Sequence, residues 1–173
     1  MPLYLGCELY WNEEPEKHQA LLQGLQTGIL PTMNQTDYVL VEFDTAVKPE
    51  TVREAFRQLK SSGYQMILAH GERFPHLMER DFLGKLKEKG ALIQISSVPD
   101  TPAQTAAQKF LMAKRLADFL GSDNHGSLVR ASFVEDALFA GLAEDYREDL
   151  LWKNAVRYLN CAPSPENDDD IQP

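Results

Sequence analysis

The chain has 173 residues, 43% of them hydrophobic and 25% charged, enough for one domain with its own core and too few for two ordinary ones. Its 26 acidic residues outnumber 17 basic ones, giving a net charge of −9, which argues against a nucleic-acid backbone or an anionic membrane as the main partner. Cys7 and Cys161 make neither a disulfide framework nor a zinc pattern, and with no signal peptide or long apolar run the expected compartment is the cytoplasm, without membrane insertion.

Leu3 to Trp11 reads as a first strand that begins almost at Met1. Its apolar edge, Leu3 to Tyr10, would present unpaired backbone and invite association, so a homo-oligomer is among the expectations. A polar helical stretch follows, with Pro15 near its start, Leu21, Leu22 and Leu25 inward, and Gly28 as its stop. Tyr38 to Phe43 is a second strand rich in β-formers. Pro49 opens a helix whose apolar residues Val52, Ala55, Phe56 and Leu59 fall at i, i+3, i+4 and i+7, and Gly63 ends it. Gln65 to His70 is a third strand, Asp81 to Lys89 a helix stopped by Gly90, and Ala91 to Ser96 a fourth strand. Thr101-Pro102 starts a helix with an expected apolar face of Ala103, Ala106, Ala107, Phe110, Ala113 and Ala117. Asp118 to Gly126 is a fifth strand running into a polar loop. Ser132 to Glu135 has capping-box spacing, and a last helix covers Tyr146 to Leu159. The acidic tail, residues 161–173, is expected to be disordered and solvated, leaving residues 1–160 as the domain.

Strand and helix alternate five times, the pattern of parallel strands joined by crossover helices. An open doubly wound sheet and a barrel both fit. No Gly-x-Gly-x-x-Gly or Walker loop follows any strand, so nucleotide binding has little support.

Four candidate metal ligands sit on or just beyond three strands: Glu8, His70, Asp123 and His125. An extended backbone would turn Asp123 and His125 to one face, pairing carboxylate oxygen with imidazole nitrogen as divalent metals require. Glu8 stands in a strand that reads as largely buried, where an unpaired carboxylate would cost several kcal/mol and a cation would relieve it. The plainer alternatives are an edge-strand Glu8 facing water, a His70 bonded to backbone, and a turn capped by Asp123. Arg73 and Arg130 follow the ligands closely, and a guanidinium fork matches phosphate oxygens; surface salt bridges are the alternative. Glu42 could belong near the site, with a helix-facing salt bridge as the plainer reading, and His18 and His76 are read as surface residues. Metal ions and arginines together at a barrel mouth would suit phosphate-ester hydrolysis.

In order and spacing, Gly6-Cys7-Glu8-Leu9-Tyr10, Leu30-Pro31-Thr32-Met33-Asn34 with Tyr38 to Phe43, Leu68-Ala69-His70-Gly71-Glu72-Arg73-Phe74, Ser122-Asp123-Asn124-His125 and Asn154 to Leu159 resemble the bacterial capsular-polysaccharide tyrosine phosphatases of the polymerase-and-histidinol-phosphatase (PHP) superfamily. The resemblance implies an α/β fold, a distorted TIM-like (βα)7 barrel with a cluster of divalent ions, usually manganese, with magnesium, iron(II) or cobalt as alternatives. It casts Glu8 as a bridging ligand, His70, Asp123 and His125 as further ligands, and Arg73 and Arg130 as holders of the phosphotyrosyl phosphate. Its implied substrate is a phosphotyrosine protein, the tyrosine-rich tail of a bacterial kinase that controls polysaccharide export. The family's opening strand with His-x-His, a further acidic ligand and a second strand ending in His have no counterpart here, so the chain is expected to hold strands three to seven. Smaller departures are Gly71, Phe74 and Ala131. Weak hydrolysis by this chain alone is therefore expected. A non-enzymatic remnant that binds a partner and another small-molecule phosphoesterase of the superfamily are the competing readings.

Overall fold

The structure, a computed structural model, describes residues 3–123 and 136–161. Five parallel strands form one sheet in the order β1-β2-β3-β4-β5: β1 Glu8–Tyr10, β2 Tyr38–Glu42, β3 Gln65–Leu68, β4 Leu92–Ser96 and β5 Phe119–Gly121. Order in space follows order in sequence with no reversal. A doubly wound sheet, which needs a reversal, is excluded for the described strands.

The crossover helices are α1 Pro15–Gln26, α2 Pro49–Ser61, α3 Phe82–Glu88 and α4 Pro102–Ala113. Proline in the first turn starts three of them, and in α4 the Thr101 side chain also accepts a hydrogen bond from Gln104 N. The C-terminal helix is continuous but uneven: α5 Glu144–Glu148, a π-helical turn Asp149–Lys153, then α6 Asn154–Leu159. Among the described residues no helix is long and apolar enough to cross a membrane.

The two faces of the sheet are covered differently. Val39, Val41, Met66, Leu68, Ile93 and Ile95 belong to the main core under the crossover helices. The other face carries Leu40, Ile67, Leu92 and Phe119, closed by Tyr158 and Leu159 of α6. Toward the carboxyl ends of the strands this second face turns polar, with Glu42 ending β2 and Gln94 and Ser96 in β4. That polarity gradient positions the site.

Several expectations need correcting. The first strand is only Glu8–Tyr10, with Leu3 and Leu5 exposed beside it. It has a single described neighbour, and Glu8 in its exposed–buried–exposed pattern is an edge carboxylate, not a buried one. The inward face of α4 is Ala107, Gln108, Leu111 and Met112, while Phe110 is exposed; the larger Leu111 and Met112 set the rotation and the alanines follow. His18 is not a surface residue: its ring stacks on buried Trp11 at 4.3 Å, and its Nε2 bonds Asn12 O at 2.7 Å. His76 is likewise engaged, through Val47 O at 2.8 Å. The capping-box stretch at Ser132 and nearly all of the acidic tail lie outside the described residues.

Candidate metal centre

Parallel strands bring their carboxyl ends to one side, so residues distant in sequence meet there. Glu8 is on β1 and Glu42 ends β2. His70 follows β3, and Asp123 follows β5 by two residues. His70 and Asp123 both leave their strands through the left-handed region, with φ of 51° and 48°. His and Asp are among the few residues with a side chain that enter it with any frequency, and such conformations gather at functional sites. Asp123 is therefore not in the extended conformation expected of it.

His70 is 4% exposed and held from three sides. Its backbone N donates to Gln94 Oε1 at 2.9 Å, its Nδ1 lies 2.9 Å from Ser96 Oγ, and its Nε2 faces Glu8 Oε1 at 3.3 Å and Asp123 Oδ1 at 3.8 Å. Gly121 makes room for this arrangement, since a Cβ there would stand 2.5 Å from Gln94 Nε2. The Arg73 guanidinium is shared, with one nitrogen donating to Glu42 Oε1 at 3.0 Å and the other to Asp123 Oδ2 at 2.8 Å. Buried Glu72 holds β4 in place beside the cluster, accepting from Ser96 N at 3.2 Å.

The donor set fits a divalent ion. Ligand atoms of Glu8, Glu42 and His70 all lie within 4.8 Å of one another. Three donors on a single ion at about 2.1 Å stand about 3–4 Å from one another, so the carboxylates would close in on the ring by up to about an ångström as they took up an ion. If Nδ1–H donates to Ser96, the bare Nε2 points at two carboxylates, an arrangement of acceptors alone that a cation among them resolves.

The structure thus brings Glu8, His70, Asp123 and Arg73 together and places Glu42 with them, paired with Arg73 of the 3-10 turn after β3 and not with a crossover helix. His125 and Arg130 lie outside the described residues. Gln94 and Ser96 were not among the sequence candidates. Their signal was two polar side chains at period two in a strand that is buried throughout.

The profile of the capsular polysaccharide synthesis family CpsB/CapC matches residues 1–160. The chain belongs to this family. CapC of Staphylococcus aureus is 29% identical over 140 residues, which make up 78% of this chain and 54% of CapC. The tyrosine-protein phosphatase YwqE of Bacillus subtilis is 30% identical over 133 residues, 74% of this chain and 52% of YwqE. This CpsB/CapC chain spans about half the length of the curated relatives it matches. A crystal structure from the pair YwqE of Bacillus subtilis and CpsB of Streptococcus pneumoniae, described as unique metal-dependent tyrosine phosphatases, matches with a TM-score of 0.55 and 26% identity, covering 83% of this chain and 62% of the solved one.

Proposed function

We propose that this chain is the metal- and phosphate-handling part of a metal-dependent protein-tyrosine phosphatase, built as strands three to seven of a PHP-type (βα)7 barrel. The observation that carries the reading is the meeting of Glu8 from β1, Glu42 at the end of β2, and His70 and Arg73 just after β3. Glu8, Glu42 and His70 would hold the ion, with Asp123 beside His70 and His125 a further ligand by resemblance. Mixed carboxylate and imidazole donors suit manganese. When bound, such an ion supplies a water acidic enough to attack a phosphate ester near neutral pH.

The chain's own residues do the remaining work. Ser96 fixes the ring of His70 through Nδ1, which keeps Nε2 turned toward the carboxylates. Arg73, oriented by Glu42 and Asp123 before any substrate arrives, offers a planar fork to the phosphoryl oxygens, with Arg130 as a second cation by resemblance. The supported substrate class is a phosphotyrosine protein, with the tail of a bacterial tyrosine kinase as the specific partner and the cytoplasm as the compartment. The process served is capsular or exopolysaccharide synthesis.

One observation favours a second reading, a scaffold without turnover: Arg73 already balances two of the carboxylates, so the cluster is partly satisfied without an ion. Measuring bound manganese alongside hydrolysis of a phosphotyrosine peptide and of a small aryl phosphate separates the readings. The phosphatase reading expects stoichiometric metal and weak, manganese-dependent turnover that His70→Ala abolishes. It also expects Arg73→Ala to lower turnover while metal content stays. Neither bound metal nor turnover would establish the scaffold, and preference for the small ester would move the assignment to another phosphoesterase.

A further inference from the structure

Helices α2 and α3 lie side by side outside the sheet and leave an open groove of about 700 Å3 between them. Its floor is apolar: Phe56, Phe82 and Leu86, which keep only 8%, 8% and 3% of their surface exposed. Its walls reverse the charge of the molecule. The chain carries 26 acidic residues against 17 basic ones, yet five cations line this groove against two carboxylates, Glu50 and Glu54.

The cations differ in what they already hold. Arg53 stands over the Phe82 ring at 5.1 Å and reaches Glu50 at 3.5 Å. Arg57 clamps Glu54 through hydrogen bonds of 2.9 and 2.6 Å, which hold the Glu54 carboxyl down to about 2. Lys60, Lys85 and Lys89 meet no carboxylate among the described residues. Lys60 donates to the Lys89 carbonyl at 2.7 Å and Lys85 to the Arg80 carbonyl at 3.0 Å, and each ammonium keeps further donors.

The Arg57 fork is thus occupied, Arg53 keeps a single contact of 3.5 Å with Glu50, and Lys60 also stands over the Phe56 ring at 5.4 Å, so the least committed charge sits on Lys85 and Lys89. A lysine ammonium acts as a mobile point charge without the fixed bidentate geometry that selects a single phosphate. Three such charges around an aromatic floor suit several carboxylates on an extended chain, with a ring or aliphatic group entering between the helices. We propose that the α2–α3 groove is a docking site for an acidic peptide segment that carries a bulky apolar or aromatic side chain. The inference stands apart from the metal centre and does not need it.

The test uses the full chain and fluorescence anisotropy of three labelled peptides, alternating glutamate with tyrosine, glutamate with glycine, and lysine with tyrosine. The Glu–Tyr peptide is expected to bind saturably, and more weakly as salt rises, because the lysine charges are exposed. The Glu–Gly peptide should bind less well and the Lys–Tyr peptide not at all. Lys85→Glu combined with Lys89→Glu, both exposed positions, should weaken Glu–Tyr binding by about tenfold or more, with the unfolding temperature as a control for folding. The milder Lys85→Gln, Lys89→Gln pair should move it in the same direction. His70→Ala should leave peptide binding unchanged. Absence of saturable binding, equal binding of the lysine peptide, or indifference to charge reversal would overturn the proposal. So would self-association of the wild type that charge reversal abolishes, since the occupant would then be a second copy of this chain.

Discussion

Replacing Lys87 by Met should destabilise the fold by about 2–3 kcal/mol at neutral pH and by much less in acid. Asp118 precedes β5 and is only 6% exposed. Its carboxylate pairs with Lys87 and accepts Ile93 N at 2.9 Å, while its backbone N donates to Ile93 O and its carbonyl accepts from Asn154. One residue thus ties β4, β5 and α6. Burial pushes the Asp118 carboxyl above its ordinary value, and Lys87 opposes that push. Methionine keeps the packing of the lysine stem and removes the charge. The folded variant then either keeps an uncompensated buried charge, about 3–5 kcal/mol, or takes up a proton. Protonating a carboxyl of ordinary pKa about 3.9 costs about 4 kcal/mol at pH 7, which caps the penalty. The Lys87 side chain is 28% exposed, so solvent already screens part of the pair, and about 2–3 kcal/mol remains.

The sign follows from the raised pKa. Below the unfolded value, near pH 4, both states are protonated and the contribution of Asp118 to stability is fully present. As pH rises, the unfolded state releases a proton that the folded variant retains, and stability falls by up to about 1.4 kcal/mol per unit until the folded value is passed. Urea unfolding followed by the fluorescence of Trp11 and Trp152, at several pH values between about 4 and 7.5, reads this directly. A deficit below about 0.5 kcal/mol at pH 7, or one that does not shrink in acid, would refute the reasoning.

Ser96→Ala removes the oxygen 2.9 Å from His70 Nδ1 and should lower manganese affinity by about tenfold to a hundredfold, at a cost of about 1–3 kcal/mol in stability because a buried ring nitrogen loses its partner; titration calorimetry on the folded variant decides, and unchanged affinity would mean that something else orients the ring. Gly121→Ala places a Cβ against Gln94 and should displace it from the His70 amide, costing about 1–3 kcal/mol and speeding hydrogen exchange at that amide; full protection of the amide would count against the link. Burial raises the Cys7 and Cys161 thiols, and Cys7 Sγ also donates to Pro31 O, so both should react with a thiol reagent more slowly in the folded than in the unfolded chain. Equal rates in the two states would contradict that.

Periodicity made most of the framework legible. The four apolar residues of α2 are all buried, and each described strand lies within the run that marked it. Periodicity misled at α4, where a ladder of alanines was easier to see than the heavier Leu111 and Met112 one turn aside. At the site, position on or just beyond apolar strands singled out Glu8, His70 and Asp123, because their chemistry is unusual beside apolar runs. Glu42 was harder to place: its partner Arg73 lies in the turn after β3, and the second carboxylate on that guanidinium, Asp123, follows β5, so no local pattern encodes the pairing. Stacking of His18 on Trp11 is likewise a tertiary fact, invisible to any window along the helix.

The sequential strand order has a consequence for assembly. Glu8, Glu42, His70 and Asp123 are each delivered by a different strand, and β4 between them orients His70 through Gln94 and Ser96. No single hairpin or helix pair contains the cluster, and it exists only when all five strands are in register. Capture of an ion and completion of the sheet would therefore be one equilibrium read from two ends. A free-ion level a hundred times the dissociation constant would add about 2.7 kcal/mol to the folded state, and a chelator would withdraw the same amount.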